Sequence, residues 1–145
     1  MTRPCLALSS LCLLGGTSLF GCGPTEPHFT EPMTFGDRTV QAATLEHGRD
    51  LYRMHCVSCH GEDGSGQGPA AKSLKFPPRD FREAAFSFVS NGDLPSHEAL
   101  VERISSGVPD RGMPPWKGMR EEDLSALADF IKTFSPRWQA KGAAS

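Results

Sequence analysis

Excess charge is nearly absent from this sequence: 15 Lys and Arg face 17 Asp and Glu, for a net charge of −2. That balance leaves no surplus of cations to track a phosphate backbone, which argues against a nucleic-acid binder. Long apolar runs are missing too. The one sustained stretch, "LALSSLCLLGGTSLFGC", is interrupted by Ser9, Ser10, Gly15 and Gly16, and is too short and broken for a spanning helix. No segment alternates convincingly as a strand, and no internal repeat or βαβ pattern is found. The glycine-rich "GEDGSGQG" lacks the lysine and the strand-to-helix setting of a phosphate-cradling loop. No Ser/His/Asp grouping or carboxylate pair stands out, so neither enzyme machinery nor a small-molecule substrate is expected.

What is present fits one modest domain: 145 residues, 38% apolar and 22% charged. The five cysteines fall into two unlike groups, Cys5, Cys12 and Cys22 near the start and Cys56 with Cys59 further on. Residues 1–21, with Arg3 ahead of the apolar stretch, read as a secretory signal. Its end, "LFGC", resembles a bacterial lipobox, which makes Cys22 the expected site of lipidation and the new N-terminus. Plain cleavage near Gly21, or an uncleaved anchor, are the alternatives, and each still exports the remainder. Residues 22–43 carry Pro24, Pro27 and Pro32 and read as a flexible tether that could extend to about 60 Å.

The globular part is expected over residues 44–136, with a short tail at 137–145. Thr44 is placed to cap a helix through "LEHGRDLYRMHC". A second helix is expected in "SHEALVERISSG", capped by Ser96 and ended by Gly107. The third, "EEDLSALADFIKTFSP", presents Leu124, Leu127, Ala128, Ile131 and Phe134 as one stripe and is stopped by Pro136. The fold class is therefore all-α, with three or more short helices and long loops. So few helices cannot bury a large core, and something else must fill the middle.

"MHCVSCHGEDGSGQGP", residues 54–69, supplies a filler. A redox dithiol would put C-x-x-C beside a βαβ unit, and zinc would need a second Cys/His pair; neither is present. Covalent attachment of one haem c needs two thiols and an adjacent imidazole, which Cys56, Cys59 and His60 provide. A thioether opposite the imidazole would complete six-coordinate iron. Of five methionines, Met1 and Met33 fall outside the expected domain and Met54 lies on the attachment side. Met113 sits in a loop stiffened by Pro109, Pro114 and Pro115 and is the favoured ligand, with Met119 the runner-up. Phe76, Phe81, Phe86 and Phe88 read as core, and the haem would be part of that core. His28, His47, His55 and His97 read as surface or helix residues, although His97 could in principle displace Met113.

The motifs "GRDLYRMHCVSCHGEDGSGQGPAAKSL", "PPRDF", "GVPDRGMPPWKG" and "LSALADFIKTF" together resemble a monohaem class I c-type cytochrome of the bacterial, membrane-associated kind. The resemblance implies a cytochrome c-like fold in which Gly48 and Tyr52 on the first helix meet Phe130 or Phe134 on the last. It also implies that the Pro69 carbonyl accepts a hydrogen bond from His60. Arg79 and Trp116 become candidates for the haem propionates, and Lys72, Lys75 and Lys117 for the rim that meets acidic partners. The expected function is one-electron transfer between redox proteins, either as a free carrier or within a respiratory complex. The protein would be held to a bacterial membrane by the lipid on Cys22 and face the periplasm. A haem-based small-ligand sensor or peroxidase-like enzyme with an open sixth site is the alternative.

Overall fold

A computed structural model of the protein describes residues 28–139. Four helices form the frame: α1 (Ala42–His55), α2 (Val57–His60), α3 (His97–Ser106) and α4 (Glu121–Lys132). A two-stranded antiparallel hairpin, β1 (Met33–Phe35) and β2 (Arg38–Val40), precedes them, with Met33 opposite Val40 and Phe35 opposite Arg38. Among the described residues, no helix is long and apolar enough to cross a membrane.

The main crossing is between α1 and α4. Leu45, Gly48 and Tyr52 recur at helical spacing on the buried face of α1. Across from them, Leu127 and Ala128 are fully enclosed, with Phe130 and Ile131 beside them. Gly48 sits where the two backbones nearly touch: a Cβ there would lie 2.2 Å from the Ala126 carbonyl oxygen and 2.8 Å from Phe130 Cβ. The Tyr52 ring packs 5.3 Å from Phe130 and 5.2 Å from Phe134, so both aromatic positions named from the sequence are used. Its hydroxyl donates to the Gly61 carbonyl at 2.7 Å and ties α1 to the loop after α2.

Gly48→Ala should destabilise the holoprotein by about 2 kcal/mol. Alanine returns about 1 kcal/mol of helix propensity, but the clash is with main chain and forces the helices apart, an overpacking cost of about 3 kcal/mol. Chemical denaturation checks it; a stabilised variant would contradict the close crossing.

Several boundaries differ from the sequence reading. The stretch read as tether is ordered structure from the hairpin onward: Phe35 and Val40 enter the core at 5% and 3% exposure, and Met33 packs against it. Three-residue strands carry too little pattern to be seen in sequence, and such a hairpin persists only when packed on something larger. Here Arg38 clamps it, reaching Asp129 on α4 through Nε and Nη2 at 2.9–3.2 Å. Asp129 is fully buried and also faces Lys132 Nζ at 3.0 Å and His97 Nδ1 at 3.2 Å. Burial opposes ionisation of Asp129, but His97, Arg38 and Lys132 together hold its carboxyl well below the usual carboxylate range. Helix α1 starts earlier than expected, with Gln41 rather than Thr44 at its N-cap. The domain also runs past Pro136. Trp138 is buried against Phe86, with ring centroids 6.3 Å apart, and the Gly36 N–H of the hairpin turn donates to the Trp138 carbonyl at 3.2 Å. The signal segment 1–21, Cys22 and residues 140–145 lie outside the described residues.

Candidate functional site

The chain leaves α1 through Cys56, whose φ of −118° breaks the helix and starts the single turn of α2. That turn carries Val57, Ser58, Cys59 and His60. The Gly-rich loop behind it then folds back main chain on main chain. Gly66 N–H donates to the His60 carbonyl at 2.8 Å, and Gly68 N–H to the Cys59 carbonyl at 3.0 Å. Only glycine fits at position 66: φ is +75°, and a Cβ would stand 2.5 Å from the Pro78 carbonyl oxygen. This contact brings the Pro78–Arg79 backbone beside the imidazole.

His60 stacks on Phe81, centroids 4.4 Å apart and planes 12° from parallel. Its Nδ1 lies 3.2 Å from the Arg79 carbonyl oxygen. A carbonyl only accepts, so Nδ1 carries the proton and Nε2 keeps its lone pair. Burial pushes the imidazole's pKa below its ordinary value, against the opposing pull of the Arg79 carbonyl, and keeps the ring neutral. The orienting carbonyl is thus that of Arg79 and not of Pro69. Pro69 is exposed and off the cavity wall, because Ala70 N–H bonds to the Ser58 carbonyl at 2.8 Å and draws that segment along the outside of α2.

Cys56 and Cys59 are free thiols, both half-buried. Burial, with Cys59 adding to it, pushes the Cys56 thiol up to about 12, so it remains S–H at neutral pH. Cys56, Cys59 and His60 open onto a mostly apolar cavity of about 300 Å³. Met113 stands on the wall of the same cavity, as do Arg79 and Trp116. Met119 packs against the core without reaching the cavity, and Met54 is 69% exposed. His97 is engaged with Lys132 and Ser125, and His47 with Asp123 at 2.6 Å, so neither faces the cavity. His55 does line it, 4.9 Å from the Trp116 ring. Lys72, Lys75 and Lys117 are exposed and do not line it.

Two charged cavity residues were not singled out from the sequence. Arg103 lies over the Phe88 ring at 4.5 Å and Arg111 over Phe76 at 5.0 Å. Among the described residues, no carboxylate lies within 4.0 Å of Arg79, Arg103 or Arg111. A signal for Arg103 existed: it sits three residues after Leu100 and one before Ile104, at the edge of the buried face of α3. A half-buried neutral imidazole, two thiols three residues apart, a thioether, aromatic walls and free guanidinium groups at one cavity are a donor set that fits a covalently held porphyrin with two acidic side groups. Among the described residues, no three His, Cys, Asp or Glu side chains converge to hold a bare metal ion.

The chain is similar to known proteins. Residues 43–131 match the family described as "Cytochrome C oxidase, cbb3-type, subunit III". The Cbb3-type cytochrome c oxidase subunit CcoP of Azospirillum brasilense is 26% identical over 100 residues, 68% of this chain and 31% of that one. Cytochrome c-554(547) of Halothiobacillus neapolitanus is 30% identical over 88 residues, 59% of this chain and 91% of that one. Among solved structures, the reducing HAO-like protein complex of Kuenenia stuttgartiensis aligns with a TM-score of 0.60 at 36% identity, covering 63% of this chain and 42% of that one. The chain therefore spans about a third of the oxidase subunit's length and under half of the complex's chain. With the family matched over most of the folded domain and the cavity assembled from the C-x-x-C-H turn and its aromatic walls, the chain belongs to this family of class I c-type cytochromes, haem-based electron-transfer proteins.

Proposed function

We propose that this cytochrome is a membrane-anchored one-electron carrier with one haem c, attached through Cys56 and Cys59 and ligated by His60 and Met113. The observation that carries the reading is the single cavity onto which both thiols, the Nε2-bearing imidazole and the Met113 side chain open. When bound there, the haem supplies a ferric/ferrous couple. The polypeptide's own work is orientation and exclusion of water. The Arg79 carbonyl fixes the ring of His60, Phe81 backs it, and Leu127 and Ile131 help form an apolar floor. Arg79, Arg103, Arg111 and Trp116 are the side chains available to the acidic groups of the porphyrin. Ligands held in place in both oxidation states keep reorganisation small, which suits a carrier. Adding carbon monoxide to the reduced holoprotein should leave its spectrum unchanged; rapid formation of a carbon monoxide adduct would instead favour the sensor or peroxidase-like alternative.

The donor and acceptor are redox proteins, met by contact at the cavity edge. The oxidase subunit and the HAO-like complex among its relatives favour membership of, or exchange with, a respiratory assembly. Lipid on Cys22 would hold the domain to a bacterial membrane on its periplasmic side, with residues 22–27 leading to the ordered domain. Cys22→Ser should release the cytochrome into the soluble envelope fraction; unchanged retention with an uncleaved signal would contradict lipid anchoring. Detergent extracts separate the two modes of partnership, since a permanent subunit co-migrates with a large oxidoreductase and a free carrier does not.

A further inference from the structure

We infer that Gly107 is a positioning residue for Met113: it is where the exit of α3 runs backbone against backbone along the Met113–Trp116 segment, and it sets where the Met113 sulfur stands. The inference rests on the reading of Met113 as the sixth ligand. Three main-chain hydrogen bonds join the two segments. Val108 N–H donates to the Met113 carbonyl at 2.9 Å, Met113 N–H to the Val108 carbonyl at 3.2 Å, and Trp116 N–H to the Ser105 carbonyl at 2.8 Å.

Gly107 lies within this pairing at φ 63° and ψ −164°, a region essentially reserved for glycine. A Cβ there would meet Pro114 O at 2.5 Å, Pro114 C at 2.6 Å and Pro115 N at 2.7 Å. All three are main-chain atoms, so no rotamer change relieves the clash. The side of α3 cannot readily give way, because Leu100 and Ile104 are 2% and 3% exposed and Gly107 N–H closes the helix on the Arg103 carbonyl at 3.0 Å. The partner segment must move instead. Pro114 and Pro115 have fixed φ, so it shifts as a unit and takes Met113 with it. A contact with no side chain of its own thereby decides how firmly the sixth position is closed.

The test compares holoproteins. Gly107→Ala should keep its haem covalently attached and its far-ultraviolet circular dichroism, yet lose the methionine-to-iron charge-transfer band, bind cyanide at least about tenfold more tightly and show a lowered midpoint potential. Gly118→Ala, with open space around its Cβ, should match the wild type in all three. Met113→Leu separates the two layers of the reading. If it leaves the band intact, the ligand assignment fails; if it abolishes the band while Gly107→Ala retains wild-type band and cyanide affinity, the positioning inference is overturned and the ligand assignment stands. Should Gly107→Ala not accumulate, hydrogen exchange of the wild type decides. The Val108, Met113 and Trp116 amides should lose protection together with the band as denaturant rises, and their free exchange in protein that keeps the band would overturn the inference.

Discussion

Purified Cys56→Ser/Cys59→Ser protein should release all of its haem into acid–acetone, whereas the wild type should retain it on the polypeptide. Cys59 lies in the helical turn that carries His60, Cys56 caps that turn, and both line the cavity, so no other described residue can substitute for them. Each single variant should keep one covalent link and resist extraction. The double variant should also be the least stable of the set. A cavity of about 300 Å³ left unfilled costs up to about 7 kcal/mol at about 24 cal/mol per Å³. That is comparable with the whole stability of a typical domain, about 5–15 kcal/mol. The expected state without haem is therefore helical but poorly packed, with weak near-ultraviolet dichroism. A double variant that kept its haem through extraction would refute covalent attachment at these residues.

Met113→Leu should preserve the fold and change the iron. Leucine keeps most of methionine's volume, so repacking costs less than about 1.5 kcal/mol. Met113 is held by its reciprocal main-chain bonds to Val108, which the substitution does not touch. Only the thioether is lost. Ferrous iron then loses its soft donor, the midpoint potential falls, the charge-transfer band disappears and cyanide or carbon monoxide gains access. Met119→Leu should do none of this, since Met119 packs against the core away from the cavity. If Met119→Leu abolished the band and Met113→Leu did not, the ligand assignment would be reversed although the cytochrome fold would stand.

What the sequence displayed and what it hid follow from the range of each interaction. Helix α3 was legible because its signals are local: Ser96 Oγ accepts from Ala99 N–H at 3.2 Å, and Gly107 ends the helix. Helix α4 was legible from its apolar stripe and its three leading acids, Glu121, Glu122 and Asp123. Gly48 could be assigned to a close helix crossing because the family resemblance supplied the partner helix. The hairpin was not legible. Its strands hold together through Phe35 and Val40 in a distant core and through Arg38 on Asp129, 91 positions along the chain. Trp138 escaped notice for the same reason, since its burial against Phe86 is decided by packing and not by its place after Pro136. In the site, residue types were readable and the backbone was not. Which carbonyl meets His60 depends on how Gly66 seats the Pro78–Arg79 segment, a contact between two main chains that leaves no trace in side-chain pattern.

The most direct measurement is an optical redox titration of the wild-type holoprotein, followed from the ferric charge-transfer band through to the fully reduced spectrum. A carrier ligated by His60 and Met113 should give one Nernstian one-electron wave, a methionine-to-iron band in the ferric state and a low-spin spectrum throughout. A high-spin ferric spectrum without that band, reduced to a form that takes up carbon monoxide at once, would contradict it.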